Sequence, residues 1–349
     1  MNMKKITLCL FGMCMASQVA YAGGNLKYAG VNLPGASYGS KIPGNVNYDY
    51  HYPSSADYQY FSANKMNTVR IPFLWERLQK TTYGALDSGE LAQLKMAVLE
   101  AKKNNMYVVL DMHNYAKYTY RQHQDNNGNP VDDFNVIGSK DLAVSAYLDV
   151  WAKLAREFKN DSNVIFGIMN EPIRMSSAEW GNIAQQAVTI IREQGASNLI
   201  LVPGTGFDNA SLWESEKNGD ALKKITDPNN NLAFEIHMYM DDNSSGTHAE
   251  CVGGDNIGVE RLKAFSSWLQ SNNKVGFLGE FAGGSNPACA AAINNVLSYI
   301  NANDNNWAGW TYWYADAWNP NNEFNIHPSA AKRSYFDSLV NAAGKITNK

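Results

Sequence analysis

Two glutamates, Glu171 and Glu280, each lie at the end of an apolar run of β type, where a side chain could do chemistry. Glu171 ends the run Ile-Met-Asn-Glu, and Pro172 after it stops the strand and restricts the preceding backbone. Glu280 ends Phe-Leu-Gly-Glu. An ionised carboxylate in a buried strand is costly unless paired, so Glu280 could instead be a structural group that pairs with an arginine. The Asn-Glu-Pro triplet is short enough to occur by chance.

Two carboxyl groups that face each other across a cleft can hydrolyse a glycosidic bond. One donates a proton to the leaving oxygen. The other either attacks the sugar, at a separation of roughly 5–5.5 Å, or activates a water, at about 6.5–9.5 Å. The sequence does not contain this distance, so it predicts a glycosidase only if the fold brings Glu171 and Glu280 together.

The elements that must position these residues alternate short apolar runs with longer helical patterns, which is typical of βα units and a parallel sheet. Predicted strands occupy residues 26–33, 68–73, 107–113, 164–170, 199–204, 232–239, 274–281 and 308–314. Predicted helices occupy residues 90–104, 141–159, 178–194, 259–271, 290–301 and 330–343. The pattern predicts an α/β fold, a single-domain (β/α)8 TIM barrel. A doubly wound sheet is disfavoured because residues 30–35 do not fit Gly-x-Gly-x-x-Gly.

In such a barrel the carboxyl ends of all strands share one mouth, where active-site loops lie. Glu171 ends the fourth predicted strand and Glu280 the seventh, so the two side chains are predicted to face each other across that mouth. Long polar stretches at 36–55, 115–139, 205–230 and 240–257 each follow a strand end. No segment resembles an interdomain linker, and we assign residues 23–349 to one catalytic domain.

The N-terminus has the composition of an export signal. Lys4 and Lys5 precede a mostly apolar run that is too short to span a membrane, and Ala20-Tyr21-Ala22 supplies the small-x-small cleavage site. We therefore predict a signal peptide at 1–22, cleavage near Ala22, and secretion to the periplasm or the cell exterior.

Composition and cysteine usage exclude several classes of protein. The chain of 349 residues is 45% hydrophobic and 18% charged with a formal net charge of −4, so neither nucleic acid nor a membrane is the expected partner. Beyond the signal, Cys251 and Cys289 form an isolated pair. In an oxidising compartment they invite a disulfide, with two free thiols as the alternative. Neither has metal-ligand spacing with histidine. We expect no metal, no organic cofactor and a monomer.

Taken in order, the strand-end motifs resemble those of glycoside hydrolase family five, a retaining clan built on (β/α)8 barrels. The placement of Cys251 and Cys289, the stretch Trp-Glu-Arg-Leu at 75–78 and the loop at 241–246 are similar to the bacterial and fungal endoglucanases of that family. The resemblance covers essentially all of the chain after the signal, from residues 28–32 to 310–313. The matching positions are Arg70 in Val-Arg-Ile-Pro-Phe, His113 and Asn114 in Asp-Met-His-Asn-Tyr, Asn170 and Glu171 in Asn-Glu-Pro, His237 and Tyr239 in His-Met-Tyr, Glu280, and Trp313.

The resemblance implies a role for each of these residues. Glu280 would attack the anomeric carbon, and Glu171 would act first as general acid and then as general base. Arg70 would keep Glu280 ionised, and Tyr239 would orient it. Asn170 would hydrogen-bond the sugar 2-hydroxyl.

The remaining matches are expected to contact the sugar or to support the carboxylates. His113, Asn114 and His237 belong to this group, although a lone histidine at a strand end is more often structural. Trp313 would place its ring against the apolar face of a sugar unit. Other aromatic residues at strand ends and in loops are candidates for further sugar subsites: Trp75, Tyr115, Trp213 and Trp318.

The resemblance implies a retaining endo-β-1,4-glucanase whose substrate is a β-glucan polysaccharide or oligosaccharide. Long loops around the mouth favour an open cleft and internal cleavage. The same mechanism acting on mannan, xyloglucan or mixed-linkage β-glucan is the alternative. A catalytically inactive carbohydrate-binding barrel is a second class, disfavoured because Glu171 and Glu280 are both present.

Overall fold

The structure, a computed structural model, describes residues 26–39 and 41–347. The predicted signal peptide, residues 1–22, lies outside them. The strands of the described residues are β1 (Tyr28–Asn32), β2 (Thr68–Phe73), β3 (Tyr107–Met112), β4 (Lys117–Gln124), β5 (Pro130–Val136), β6 (Val164–Gly167), β7 (Ile200–Val202), β8 (Leu232–Tyr239), β9 (Gly276–Ala282) and β10 (Trp307–Tyr312). All except β4 and β5 are parallel and close into a barrel in the order β1-β2-β3-β6-β7-β8-β9-β10. The predicted single-domain (β/α)8 TIM barrel is confirmed.

Helices form the outer layer around this barrel. They are α1 (Ser55–Ala63), α2 (Trp75–Leu78), α3 (Ser88–Lys103), α4 (Val144–Phe158), α5 (Ser177–Glu193), α6 (Asn218–Leu222), α7 (Ile257–Ser271), α8 (Pro287–Ala302) and α9 (Phe336–Thr347), with 3-10 turns at Pro34–Ser37 and Ala210–Leu212. The start of α5 is set by a capping box: Glu179 N donates to Ser176 Oγ, and Ser176 N donates to the Glu179 carboxylate. None of the helices within residues 26–39 and 41–347 has both the length and the apolar character needed to cross a membrane.

The interior of the barrel changes character from bottom to top. Near the amino ends of the strands a small apolar cluster fills it: Tyr28, Val109, Ile165, Leu201, Ala233 and Phe277. Towards the carboxyl ends the buried interior side chains are charged: Arg70, Asp111, Glu235 and Glu280. The outer faces of the strands pack on the helices, as where Trp151 of α4 meets Phe166 of β6 with ring centroids 5.8 Å apart. Because both faces are buried, the strand sequences are nearly continuous apolar runs, and this pattern indicates the strands in the sequence.

The structure departs from the sequence prediction in three local places. The polar stretch at 115–139 contains the antiparallel hairpin β4–β5 rather than loop alone. The short helices α1, α2 and α6 were not predicted. The last helix begins at Phe336 rather than near residue 330, because Arg333 donates to the carbonyls of Asn325 and Asn322 and holds the preceding segment in a loop.

Cys251 and Cys289 form a disulfide, which confirms the predicted pairing. The bond joins the loop after β8 to the first turn of α8, where Cys289 N donates to the Asn286 side chain. The long polar loop at 240–257 is therefore covalently attached to the outer layer of helices.

Replacing both cysteines by serine should lower the free energy of unfolding by about 2–4 kcal/mol, because the cross-link restricts the unfolded chain. Urea unfolding of the wild type and of the double variant measures the difference. Wild type unfolded in the presence of a reductant is the matched control and should resemble the variant. Equal unfolding midpoints for all three samples would contradict the prediction.

Candidate active site

Glu171 and Glu280 meet at the mouth of the barrel. A carboxylate oxygen of each and a ring nitrogen of His237 lie within 4.8 Å of one another. Glu171 follows β6 with a left-handed backbone angle φ of 44°, which is uncommon outside glycine and is often found at functional sites. The fold therefore brings together the two carboxyl groups that the sequence marks.

A β-bulge turns Glu280 into the mouth. The pairing of β8 with β9 slips after Ile236, so that Ile236 pairs with Leu278 and His237 pairs with Glu280. The slip places Gly279 and Glu280 in succession on the interior side, where regular alternation would send one of them outward. The bulge thus aims the carboxylate of Glu280 at the same point as Glu171.

Arg70 is the buried centre of the charged network. From β2, its Nη1 donates to Glu280 Oε1 at 2.9 Å, and its Nη2 donates to Asn170 Oδ1 at 2.9 Å. Nη2 also lies 3.0 Å from Asp111 Oδ1, and Nε lies 3.1 Å from Glu235 Oε1. One guanidinium therefore faces three carboxylates from three other strands.

Glu280 is held in its ionised form. Burial opposes ionisation, but the positive charges of His237 and Arg70 outweigh it and lower the pKa of Glu280 below the ordinary glutamate value. Tyr239 adds a hydrogen bond, donating its hydroxyl to Glu280 Oε2 at 2.6 Å. Both carboxylate oxygens of Glu280 thus accept hydrogen bonds from fixed donors.

Glu171 is biased towards its protonated form. Burial raises its pKa, and the hydrogen bond with His237, whose Nδ1 lies 2.8 Å from Glu171 Oε1, only partly offsets this effect. The pKa of His237 itself is well above its ordinary value because the charges of Glu280, Glu171 and Glu235 outweigh burial. Environments that move the pKa values of two carboxyl groups apart are typical of acid and base pairs in catalysis.

Two more predicted residues lie beside the pair. Asn170 uses Oδ1 for Arg70, while its buried Nδ2 has no partner among the described residues and remains a donor for a ligand. His113 lies against Asp111, with Nδ1 2.8 Å from Oδ2, and its ring is nearly parallel to that of Trp313 at 6.0 Å. His113 thus lies between Asp111 of the charged network and the ring of Trp313.

Asn114 lies between the loops that follow β2 and β3. Its Oδ1 accepts from Trp75 N at 2.8 Å, and its Nδ2 donates to Glu76 Oε2 at 2.7 Å. Both ends of the amide are therefore used to join the loops after β2 and β3. Asn114 supports the wall of the mouth rather than facing its interior.

Three of the predicted aromatic residues keep exposed surface near the mouth. Trp313 borders a cavity of about 560 Å³ whose lining includes Tyr38, Tyr314 and Phe324. Tyr115 is half-buried, with its hydroxyl 3.3 Å from His113 Nε2. Trp318 is 51% exposed, and its ring stacks on His51 at 4.2 Å.

Two of the predicted sugar-facing rings are instead core residues, and the prediction is wrong for both. Trp75 is fully buried against Tyr118 with centroids 5.0 Å apart. Trp213 is buried against Phe265 and Trp268 at 4.7 Å and 5.0 Å. Both indoles follow strand ends but point into the layer between strands and helices, so neither ring can meet a sugar.

Sequence reasoning missed Asp111, Asp208 and Glu235, which surround Arg70 and His237. The carboxyl group of Asp208 is held by the preceding loop, because Gly204 N donates to Asp208 Oδ1 at 2.6 Å. Glu235 lies in the apolar run Leu-Ala-Phe-Glu-Ile. The cost of a buried charge, which drew attention to Glu280, applies equally to Glu235 and was the available signal.

Fold and site together define an enzyme of the (β/α)8 hydrolase class, in which a closed parallel barrel carries two carboxyl groups of different acidity at its mouth. The family model of cellulase, glycosyl hydrolase family 5, matches residues 25–316, and the chain belongs to this family. It is a glycoside hydrolase, as the strand-end motifs predicted.

Individual relatives support the same assignment. The chain is 33% identical over 320 residues to endo-beta-1,4-glucanase B of Emericella nidulans, covering 91% of each protein. The solved structure of an endo-beta-1,4-glucanase from Xanthomonas axonopodis pv. citri is 43% identical, with a TM-score of 0.86 over 92% of this chain and 100% of that one. XacCel5A in complex with cellopentaose is 43% identical, with a TM-score of 0.84 over 91% and 99%.

The different burial of the two indoles predicts unequal losses of stability for two substitutions. Trp75→Ala should lower the free energy of unfolding by about 3–5 kcal/mol, because it leaves a cavity in the core. Trp313→Ala, at the half-buried rim, should cost less than about 1 kcal/mol. Urea unfolding followed by circular dichroism measures both, and similar losses for the two variants would contradict the different burial of the two indoles.

Proposed function

We propose that the protein is a retaining endo-β-1,4-glucanase in which Glu280 is the nucleophile and Glu171 the general acid and base. The separation of the pair carries the proposal: carboxylate oxygens within 4.8 Å suit direct attack by one carboxylate. An inverting enzyme needs about 6.5–9.5 Å between the carboxyl groups to admit a water. The directions of the two pKa changes support the division of roles.

In the first step, Glu280 attacks the anomeric carbon while Glu171 gives its proton to the leaving glycosidic oxygen. Hydrogen bonds from Arg70 and Tyr239 fix the attacking carboxylate in one orientation. The amide Nδ2 of Asn170 is free to donate to the 2-hydroxyl of the bound sugar, a contact that strengthens as the transition state forms.

In the second step, Glu171 must act as a base towards water. Formation of the glycosyl ester removes the negative charge of Glu280, which raises the pKa of Glu171 in the free enzyme. Loss of that like charge lowers the pKa of Glu171, so Glu171 can accept a proton from the water that attacks the anomeric carbon. The bond between that carbon and Glu280 breaks, which releases the sugar and restores the Glu280 carboxylate. Glu171 therefore serves in both steps.

The substrate class is supported by the relatives named as endo-beta-1,4-glucanases and by the cellopentaose complex of XacCel5A. In this chain the rim rings of Trp313, Tyr115 and Trp318 offer aromatic faces of the kind that stack on sugars. We further propose that the protein is exported with the signal at 1–22 removed, and that it acts as a monomer.

A different β-linked polysaccharide, such as mannan, xyloglucan or mixed-linkage glucan, is the competing substrate. An inactive carbohydrate-binding barrel is disfavoured because both carboxyl groups are present and close together, and because their pKa values are shifted in opposite directions.

Azide rescue separates the two glutamates. Glu280→Gly should abolish turnover, and azide should then restore cleavage with inverted product. Azide takes the place of the missing carboxylate and attacks the anomeric carbon on the face opposite the leaving group. Glu171→Ala should lower the rate of hydrolysis about 10²–10⁴-fold, and azide should restore the rate and give a product of retained configuration. Product NMR with an activated aryl cellobioside reads the stereochemistry. The reversed pattern would exchange the two roles, and azide should not accelerate the wild type.

The substrate proposal predicts reducing-sugar release from carboxymethylcellulose and a β-anomer as the first product from cellopentaose. An NMR time course reports the linkage cut, the cleavage position and the anomer together. The control panel consists of mannan, xyloglucan and mixed-linkage glucan. Activity on mannan without activity on carboxymethylcellulose would refute the cellulose-type substrate while leaving the mechanism intact.

A further inference from the structure

Glu235 lies below the catalytic pair and touches the groups that hold both members. It belongs to β8 and is fully buried. Its Oε1 lies 3.1 Å from Arg70 Nε and 3.5 Å from His237 Nε2. Arg70 donates to Glu280 and His237 pairs with Glu171. Glu235 is therefore one residue removed from each catalytic carboxyl group.

The position of Glu235 is built into the neighbouring strand. A Cβ atom at Gly279 would lie 2.0 Å from Glu235 Oε1. A side chain larger than hydrogen at Gly279 would thus displace the Glu235 carboxyl group, and Gly279 directly precedes Glu280 in the bulge. The close approach shows that β9 leaves room for the carboxyl group of Glu235 because residue 279 is a glycine.

Charged and titratable groups face Glu235 and His237 from every neighbouring strand. They are Arg70 from β2, Asp111 and His113 from β3, Glu171 after β6, Asp208 after β7, and Glu280 from β9. Burial raises the pKa of Asp208 well above its ordinary value, so Asp208 retains its proton more readily than a surface aspartate. The carboxyl group beside Nε2 of His237 is that of Glu235, whose Oε1 lies 3.5 Å away.

We propose that Glu235 is a positioning residue that joins the Arg70–Glu280 pair to the His237–Glu171 pair and holds His237 in its charged form. The proposal rests on the proposed function of Glu171 and Glu280. Its consequence concerns pH. Ionised Glu280 sets the acid limb of kcat/KM, and loss of a proton from the His237–Glu171 pair sets the alkaline limb. Removing a nearby negative charge makes that proton easier to lose.

The test compares pH profiles of kcat/KM on carboxymethylcellulose. Glu235→Gln keeps the shape of the side chain but removes its charge, and should move the alkaline limb to lower pH by about one unit or more. Glu235→Asp keeps the charge but places it one methylene farther from His237. It should also move the alkaline limb to lower pH, by less than Glu235→Gln does. Glu90→Gln is the matched control, because Glu90 is a buried carboxylate that accepts from the Tyr50 and Tyr52 hydroxyls, and it should leave the limb unchanged.

Nitrogen-15 NMR of the His237 ring gives a readout that does not need turnover, with the signal assigned by comparison with His237→Asn. The ring should stay charged through neutral pH in the wild type and lose its proton at lower pH in both Glu235 variants. A wild-type ring that titrates like an ordinary histidine, or unchanged titration in the variants that fold, overturns the proposal. A wild type that is inactive on every β-glucan refutes the proposed function, whereas the ring titration still decides the role of Glu235.

Discussion

The structure of the barrel mouth depends on the ion pairs that the buried guanidinium of Arg70 forms with carboxylates of other strands. A charge without solvent is costly unless it is closely paired, and Arg70 is surrounded by the carboxylates of Asp111, Glu235 and Glu280. These come from β3, β8 and β9, so the strands must keep their register for the charges to be balanced. The planar fork of arginine offers donors in several fixed directions, which a lysine ammonium cannot reproduce. The stability of the upper barrel and the placement of Glu280 therefore depend on the same set of ion pairs.

The two glutamates differ in acidity because the network reaches them unequally. Glu280 accepts hydrogen bonds from Arg70 and Tyr239, whereas Glu171 forms its hydrogen bond with His237. Burial acts on both carboxyl groups, and only Glu280 has enough nearby positive charge and donor hydrogens to overcome it. Two residues of the same type thus acquire different acidities from their surroundings.

Sequence predicted those features whose cause is local. Apolar runs buried on both faces mark the barrel strands, and the isolated cysteines predict their own disulfide. Features that depend on contacts between residues far apart in the chain could not be predicted from the sequence. Whether Trp75 and Trp213 face solvent depends on which side of a strand the following segment packs, and the partners of Glu235 lie on strands far away in the chain. Alternation alone also cannot place Glu280 inside, because its direction depends on a bulge that appears only when β8 and β9 are paired.

The apolar cluster that fills the lower barrel, from Tyr28 on β1 to Phe277 on β9, has a consequence for polymers. A linear molecule cannot thread through a plugged ring, so it must lie across the rim and depart from the side on which it arrived. Entry and exit through the bottom of the barrel are both closed, so a polymer and its fragments share a single opening. The loops that rise from the strand ends therefore set how much of a long molecule fits there at one time.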